Sequence, residues 1–159
     1  MKRVFAIFAV LACCVGGALP AGAASRPKDL WATVNVCDTK LHDNMMGVRA
    51  SMPGDGTTKR MRVRFTAQWY SKARRGWVPV DGVPSSPWLD AGTAEYLYQQ
   101  AGWTFSFDRA TGGNQYQLRG LAVMEWLKGR RVVRSTTRAT RAGAVGVFGG
   151  SSRAGCVLG

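Results

Sequence analysis

Arg60-Met61-Arg62-Val63-Arg64-Phe65-Thr66-Ala67-Gln68-Trp69-Tyr70 alternates apolar and polar residues. A strand sends successive side chains to opposite faces, so Met61, Val63, Phe65, Ala67 and Trp69 fall on one side. Arg60, Arg62 and Arg64 fall on the other. A helix would scatter the same apolar residues around its axis. The stretch therefore reads as a β-strand with an oily face and a cationic face.

The same period recurs on either side of it. Ala32, Val34 and Val36 alternate with Thr33, Asn35 and Cys37. Met46, Val48, Ala50 and Met52 alternate with Gly47, Arg49 and Ser51. Trp77 to Val80 forms a short strand, and Glu95 to Gln100 suits either a short strand or one helical turn. Trp103, Phe105 and Phe107 alternate again. Tyr116 to Leu127 and Arg130 to Thr140 make a hairpin around Lys128-Gly129. Turn clusters separate these runs at Pro53-Gly54-Asp55-Gly56, Lys72 to Gly76, Pro84 to Pro87 and Thr111-Gly112-Gly113-Asn114. Seven or eight short strands without βα alternation predict an all-β chain folded as an antiparallel sandwich or barrel.

The first residues say where such a chain works. Lys2 and Arg3 precede an apolar run from Val4 to Val15, and Ala21-Gly22-Ala23 is a small-residue cleavage site. Residues 1–23 read as a secretory signal peptide, and residues 24–159 as one mature domain. The run is too short for a membrane span, and the mature part holds no second one. Val10-Leu11-Ala12-Cys13 offers lipid attachment at Cys13 as an alternative. Either route places the protein outside the cytoplasm, secreted or otherwise extracytoplasmic. Two cysteines then remain, Cys37 and Cys156, and an even pair in an exported chain reads as a disulfide. Residues 141–155, rich in Ala, Gly and Ser, form the return leg that brings Cys156 back.

Two short motifs carry a resemblance. Gln68-Trp69-Tyr70 resembles the segment around the core tryptophan of immunoglobulin-like domains. Tyr116-Gln117-Leu118 resembles their tyrosine corner, with Leu118 where antibody domains carry Cys. The resemblance, to immunoglobulin-like and fibronectin type III-like β-sandwiches, spans about residues 31–140. It implies that Trp69 fills the core and that the Tyr116 hydroxyl bonds the backbone. Cys37 and Cys156 lie on terminal segments, so no disulfide between the B and F strands is implied. The whole chain also resembles small exported proteins of high-GC bacteria, and its preference for arginine over lysine fits that source.

Little in the chain suggests catalysis. There is one histidine, His42, flanked by Asp38 and Asp43. That trio is the only candidate for a hydrolase or metal site, and polar loop residues are the alternative. No zinc, nucleophile-elbow, phosphate-loop or calcium-loop motif occurs, and no cofactor is expected. Glu125, among Arg and Lys, reads as a surface ion pair.

Charge is the remaining signal. Lys and Arg number 22 against 9 Asp and Glu, for a formal charge of +13. The basic residues recur on particular strands: Arg60, Arg62, Arg64, Arg119, Arg134 and Arg138. If those strands are neighbours, the six arginines merge into one anion-binding surface. The partners such a surface suits are an anionic wall polymer, a polysaccharide or a lipid surface. A specific nucleic-acid partner is not expected, since no recognition motif is present. Tyr70, Trp77 and Trp88 offer rings for stacking on sugars or, alternatively, for packing. The expectation is a non-enzymatic binding or interaction module of the cell envelope, with a structural secreted domain as the alternative.

Overall fold

The computed structural model describes residues 29–144 and 151–159. The expected signal peptide, residues 1–23 with Cys13, lies outside them, as do residues 145–150 of the expected return leg. Nine strands follow in order: β1 (Trp31–Thr39), β2 (His42–Pro53), β3 (Arg60–Ser71), β4 (Gly76–Pro79), β5 (Leu89–Thr93), β6 (Tyr98–Ser106), β7 (Tyr116–Lys128), β8 (Arg131–Ala139) and β9 (Cys156–Leu158). There is no α-helix among the described residues. The strands form two antiparallel sheets. One has the order β1-β2-β6. The other runs β4-β3-β7-β8, with β5 also on β3 and β9 also on β7. The all-β expectation is met, with nine strands in place of seven or eight. The two extra strands are β5, whose Gly92 has φ +104° and breaks any alternation, and the three-residue β9.

The two sheets lie face to face in a sandwich-like arrangement. Ala32, Val34, Met46, Val48, Ala50 and Met52 come from one sheet. Met61, Val63, Phe65, Ala122, Met124 and Trp126 come from the other, all within one buried cluster. The alternation read in β3 is therefore the one that builds the core. Gly120 of β7 marks the tightest approach: a Cβ there would stand 2.6 Å from Val48 Cγ1 across the interface. Only a residue without a side chain lets the sheets close at that point.

Two β-bulges redirect the pattern. In β1, Val34 pairs with Val48 but Val36 pairs with Gly47, leaving Asn35 over. One extra residue inverts every face beyond it. Cys37, on the polar side of the sequence pattern, thus pairs with Met46 and turns toward the other sheet. Gly47 opposite the bulge leaves room, since a Cβ there would lie 2.9 Å from Val36 Cβ. The Cys37–Cys156 disulfide follows, with Cα atoms 5.3 Å apart, joining β1 of one sheet to β9 of the other. Beside it Val34 and Arg153 exchange backbone hydrogen bonds of 2.9 and 3.0 Å. The C-terminal segment thus covers the free edge of β1.

The second bulge lies in β8. Leu127 pairs with Val132 but Trp126 with Arg134, so Val133 is the extra residue. Arg134 and Arg138 therefore register with Trp126 and Ala122, whose side chains face the core. This corrects the expected single arginine face: Arg134 and Arg138 stand on the opposite face of the sheet from Arg60, Arg62 and Arg64.

The expected core tryptophan is corrected too. Trp69 keeps inward parity but is only half-buried, near the end of β3, where it packs against the margin of the core. Tyr116 is 40% exposed. It packs edge-on against Trp69, with ring centroids 6.3 Å apart, and its hydroxyl bonds no backbone group among the described residues. Phe65 and Phe105 are buried. The enclosed indoles are Trp31 and Trp126, at 2% and 1% exposure. Trp126 spans the sandwich, donating from Nε1 to the Pro53 carbonyl at 3.1 Å.

Candidate functional site: an arginine and tryptophan face

The outward face of the larger sheet carries the even-numbered residues of β3 and their β7 partners. Arg62 registers with Glu125, Arg64 with Val123 and Gln68 with Arg119. Arg60, Arg62, Arg64 and Arg119 thus form one surface, as the alternation predicts.

Each guanidinium is held. Arg60 pairs with Asp90 at 2.6 Å. Arg62 reaches Glu125 Oε2 from both Nε, at 2.8 Å, and a terminal nitrogen, at 2.7 Å. Its guanidinium also lies 4.3 Å from the centre of the Trp88 ring. Arg64 donates from Nε to the Ser86 carbonyl at 3.1 Å. Arg119 donates from Nε to Gln68 Oε1 at 2.9 Å and stacks over Trp77 at 4.4 Å. Trp77 in turn meets Tyr70 edge-on, with centroids 5.5 Å apart. The aromatic residues considered as a sugar platform thus give ring faces to arginines.

The acids divide the four cations. Asp90 and Glu125 neutralise Arg60 and Arg62. Hydrogen bonding from the Gly92 amide, then from Arg60, holds the Asp90 carboxyl below its ordinary value. Arg64 and Arg119 face no carboxylate among the described residues. Burial lowers the Arg119 pKa from the usual arginine value, yet a guanidinium stays charged at neutral pH. With Nε bonded in each, the terminal nitrogens of Arg64 and Arg119 are the groups left to meet an anion. Gln68, the partner of Arg119, lies four positions after Arg64 on β3, so the two arginines spring from backbone positions roughly 13 Å apart along the strands.

The other sequence candidates are not gathered. Asp38, His42 and Asp43 lie at the exposed β1–β2 hairpin. Asp38 accepts from the Asn44 amide at 2.9 Å, and Asp43 pairs with Arg109 at 3.0 Å. Among the described residues no three His, Cys, Asp or Glu side chains are placed to hold a metal ion. No helix there is long and apolar enough to cross a membrane.

One feature escaped the sequence altogether. A half-open cavity of about 510 Å³ sits at the end of the sandwich, over Trp69. Its walls come from several separated segments, so no local motif marks it.

Comparison with protein families, curated proteins and solved structures finds no match.

Proposed function

We propose that this chain is an exported, non-enzymatic binding module of immunoglobulin-like type. Its contact surface would be the outward face of the larger sheet, and its ligand an anionic envelope polymer. One observation supports the fold type and a second the export. The order β1-β2-β6 against β4-β3-β7-β8 follows the A-B-E and C′-C-F-G order of such sandwiches. The cross-sheet disulfide suits an oxidising compartment.

The observation that carries the functional reading is the pair Arg64 and Arg119. Both lack acid partners, and their Nε atoms are tied to Ser86 and Gln68. A guanidinium already fixed in place loses little freedom on meeting a phosphate, sulfate or carboxylate, and its free edge donates to two oxygens. A spacing of roughly 13 Å suits a polymer with repeated anions better than one small anion. The ion-paired Arg60 and Arg62 then act as supports rather than as ligands.

The test is a titration of the purified protein with heparin, wall polymer and anionic vesicles at two ionic strengths. The double variant Arg64→Ser, Arg119→Ser weakens polymer binding several-fold and lowers its salt dependence by about two counterions. The double variant Lys40→Ser, Arg138→Ser removes the same charge from elsewhere and leaves binding near the parent value. Equal loss in both variants reduces the arginines to a diffuse solubilising coat. Preference for vesicles over polymer moves the ligand to a lipid surface.

A further inference from the structure

We propose that the cavity at the end of the sandwich is a second binding site, for an organic ammonium group. The cavity holds about 510 Å³, within the range of small-molecule sites, and lies away from the arginine face. Three aromatic residues line it: Trp69, Phe107 and Tyr116. The Trp69 and Tyr116 rings meet at 76°, so they make a corner rather than a stack. Neither ring is sealed in the core, because Trp69 is half-buried and Tyr116 is 40% exposed. Large aromatic residues left accessible at a concave site are the groups that attract a cation through their ring faces.

Charge selects the ligand. The chain has 9 acidic residues against 22 basic ones, yet Asp81 and Asp108 both line this cavity. Neither carboxylate has a hydrogen-bond or ion-pair partner among the described residues. The one basic residue in the lining, Arg109, is paired with Asp43 on the β1–β2 hairpin at 3.0 Å. That pair neutralises the cation and ties the cavity rim to the hairpin. A second rim bond runs from the Phe107 amide to the Asn44 carbonyl at 2.9 Å. The lining therefore combines aromatic walls with two uncompensated negative charges, on a protein that elsewhere repels cations. An alkylammonium satisfies both, its carbons against the rings and its charge toward the carboxylates.

The source of such a group is either a quaternary headgroup or a primary amine, and the probes separate them. The purified protein is titrated with choline, with cadaverine and with 3,3-dimethylbutanol, the neutral isostere of choline, while the indole resonances are followed by NMR. A cation shifts the Trp69 indole signal saturably, and the neutral isostere does so at least tenfold more weakly. Choline over cadaverine identifies a quaternary head; the reverse identifies a primary amine. The variant Asp81→Asn, Asp108→Asn keeps both side-chain shapes and weakens binding at least fivefold. The variant Arg64→Ser, Arg119→Ser leaves it unchanged, so the result is independent of the polymer reading. Equal binding of the neutral isostere, shifts that avoid Trp69, or no effect of the Asn variant overturns the proposal.

Discussion

Replacing each of two tryptophans by alanine separates the core from the cavity. Trp126 is 1% exposed and donates its indole N–H to the Pro53 carbonyl of the opposite sheet. Removing a large buried aromatic costs about 3–5 kcal/mol. Leaving a buried carbonyl without its donor adds about 1–3 kcal/mol, so Trp126→Ala is expected to cost roughly 4–8 kcal/mol. That approaches the whole stability of a small domain. Trp69 faces the open cavity and is half-buried, so Trp69→Ala is expected to cost only about 1–2 kcal/mol. Equilibrium urea unfolding of the oxidised proteins, followed by far-ultraviolet circular dichroism, measures both. The difference is read from the midpoints at a common slope. A further variant, Trp126→Phe, isolates the indole bond and is expected to lose about 1–3 kcal/mol. Equal losses for Trp69→Ala and Trp126→Ala, or a larger loss at Trp69, would refute the assignment of Trp126 as the core residue and Trp69 as a cavity wall.

Reduction of the Cys37–Cys156 bond, or the double variant Cys37→Ser, Cys156→Ser, frees a loop spanning 119 positions. Chain entropy puts the expected loss at about 4–5 kcal/mol, measured by the same unfolding experiment. Gly120→Ala drives a methyl group into Val48 and Thr140, and is expected to cost about 1–3 kcal/mol as overpacking, read as a lower melting temperature. Asp90 and Asp55 titrate below their ordinary value in the folded protein. For Asp55, burial pushes the carboxyl up, but bonds from Lys59 and Thr57 together outweigh it. A folded-state pKa below the unfolded one gives stability that is present above about pH 4 and lost as pH falls through the folded value. Unfolding free energy should therefore decline on the acid side, and Asp90→Asn should shallow that decline. An unchanged acid slope in Asp90→Asn would refute the assigned cause.

The alternation in β3 carried most of the fold, because a strand buried on one face must repeat with period two. The same rule placed Arg60, Arg62 and Arg64 together and, through β7, Arg119 beside them. It failed at Cys37 and at Arg134 and Arg138, for one physical reason. A single unpaired residue, Asn35 in β1 and Val133 in β8, inverts the faces beyond it, and neither residue type announces a bulge. The acid partners were half legible. Glu125 read as an ion pair, but Asp90 reaches Arg60 only through β5, a strand with no alternation. The Trp69 and Tyr116 motifs marked real neighbours but misjudged their depth. Burial at a strand end depends on how far the facing sheet extends, which no local pattern encodes.

The position of β9 has a kinetic consequence. Residues Tyr116–Leu118 of β7 pair with Cys156–Leu158, so part of a central strand waits for a partner that leaves the ribosome some forty residues later. Until then β7 shows bare amides and carbonyls beside a reduced Cys37, a state open to wrong pairing and to proteases. Contacts this distant form slowly, since the intervening loop must close before they contribute. The disulfide therefore acts as a latch, since Cys156 sits within the same three-residue strand that closes this edge of β7. A chain that cannot form the Cys37–Cys156 bond keeps that edge closed by hydrogen bonds alone.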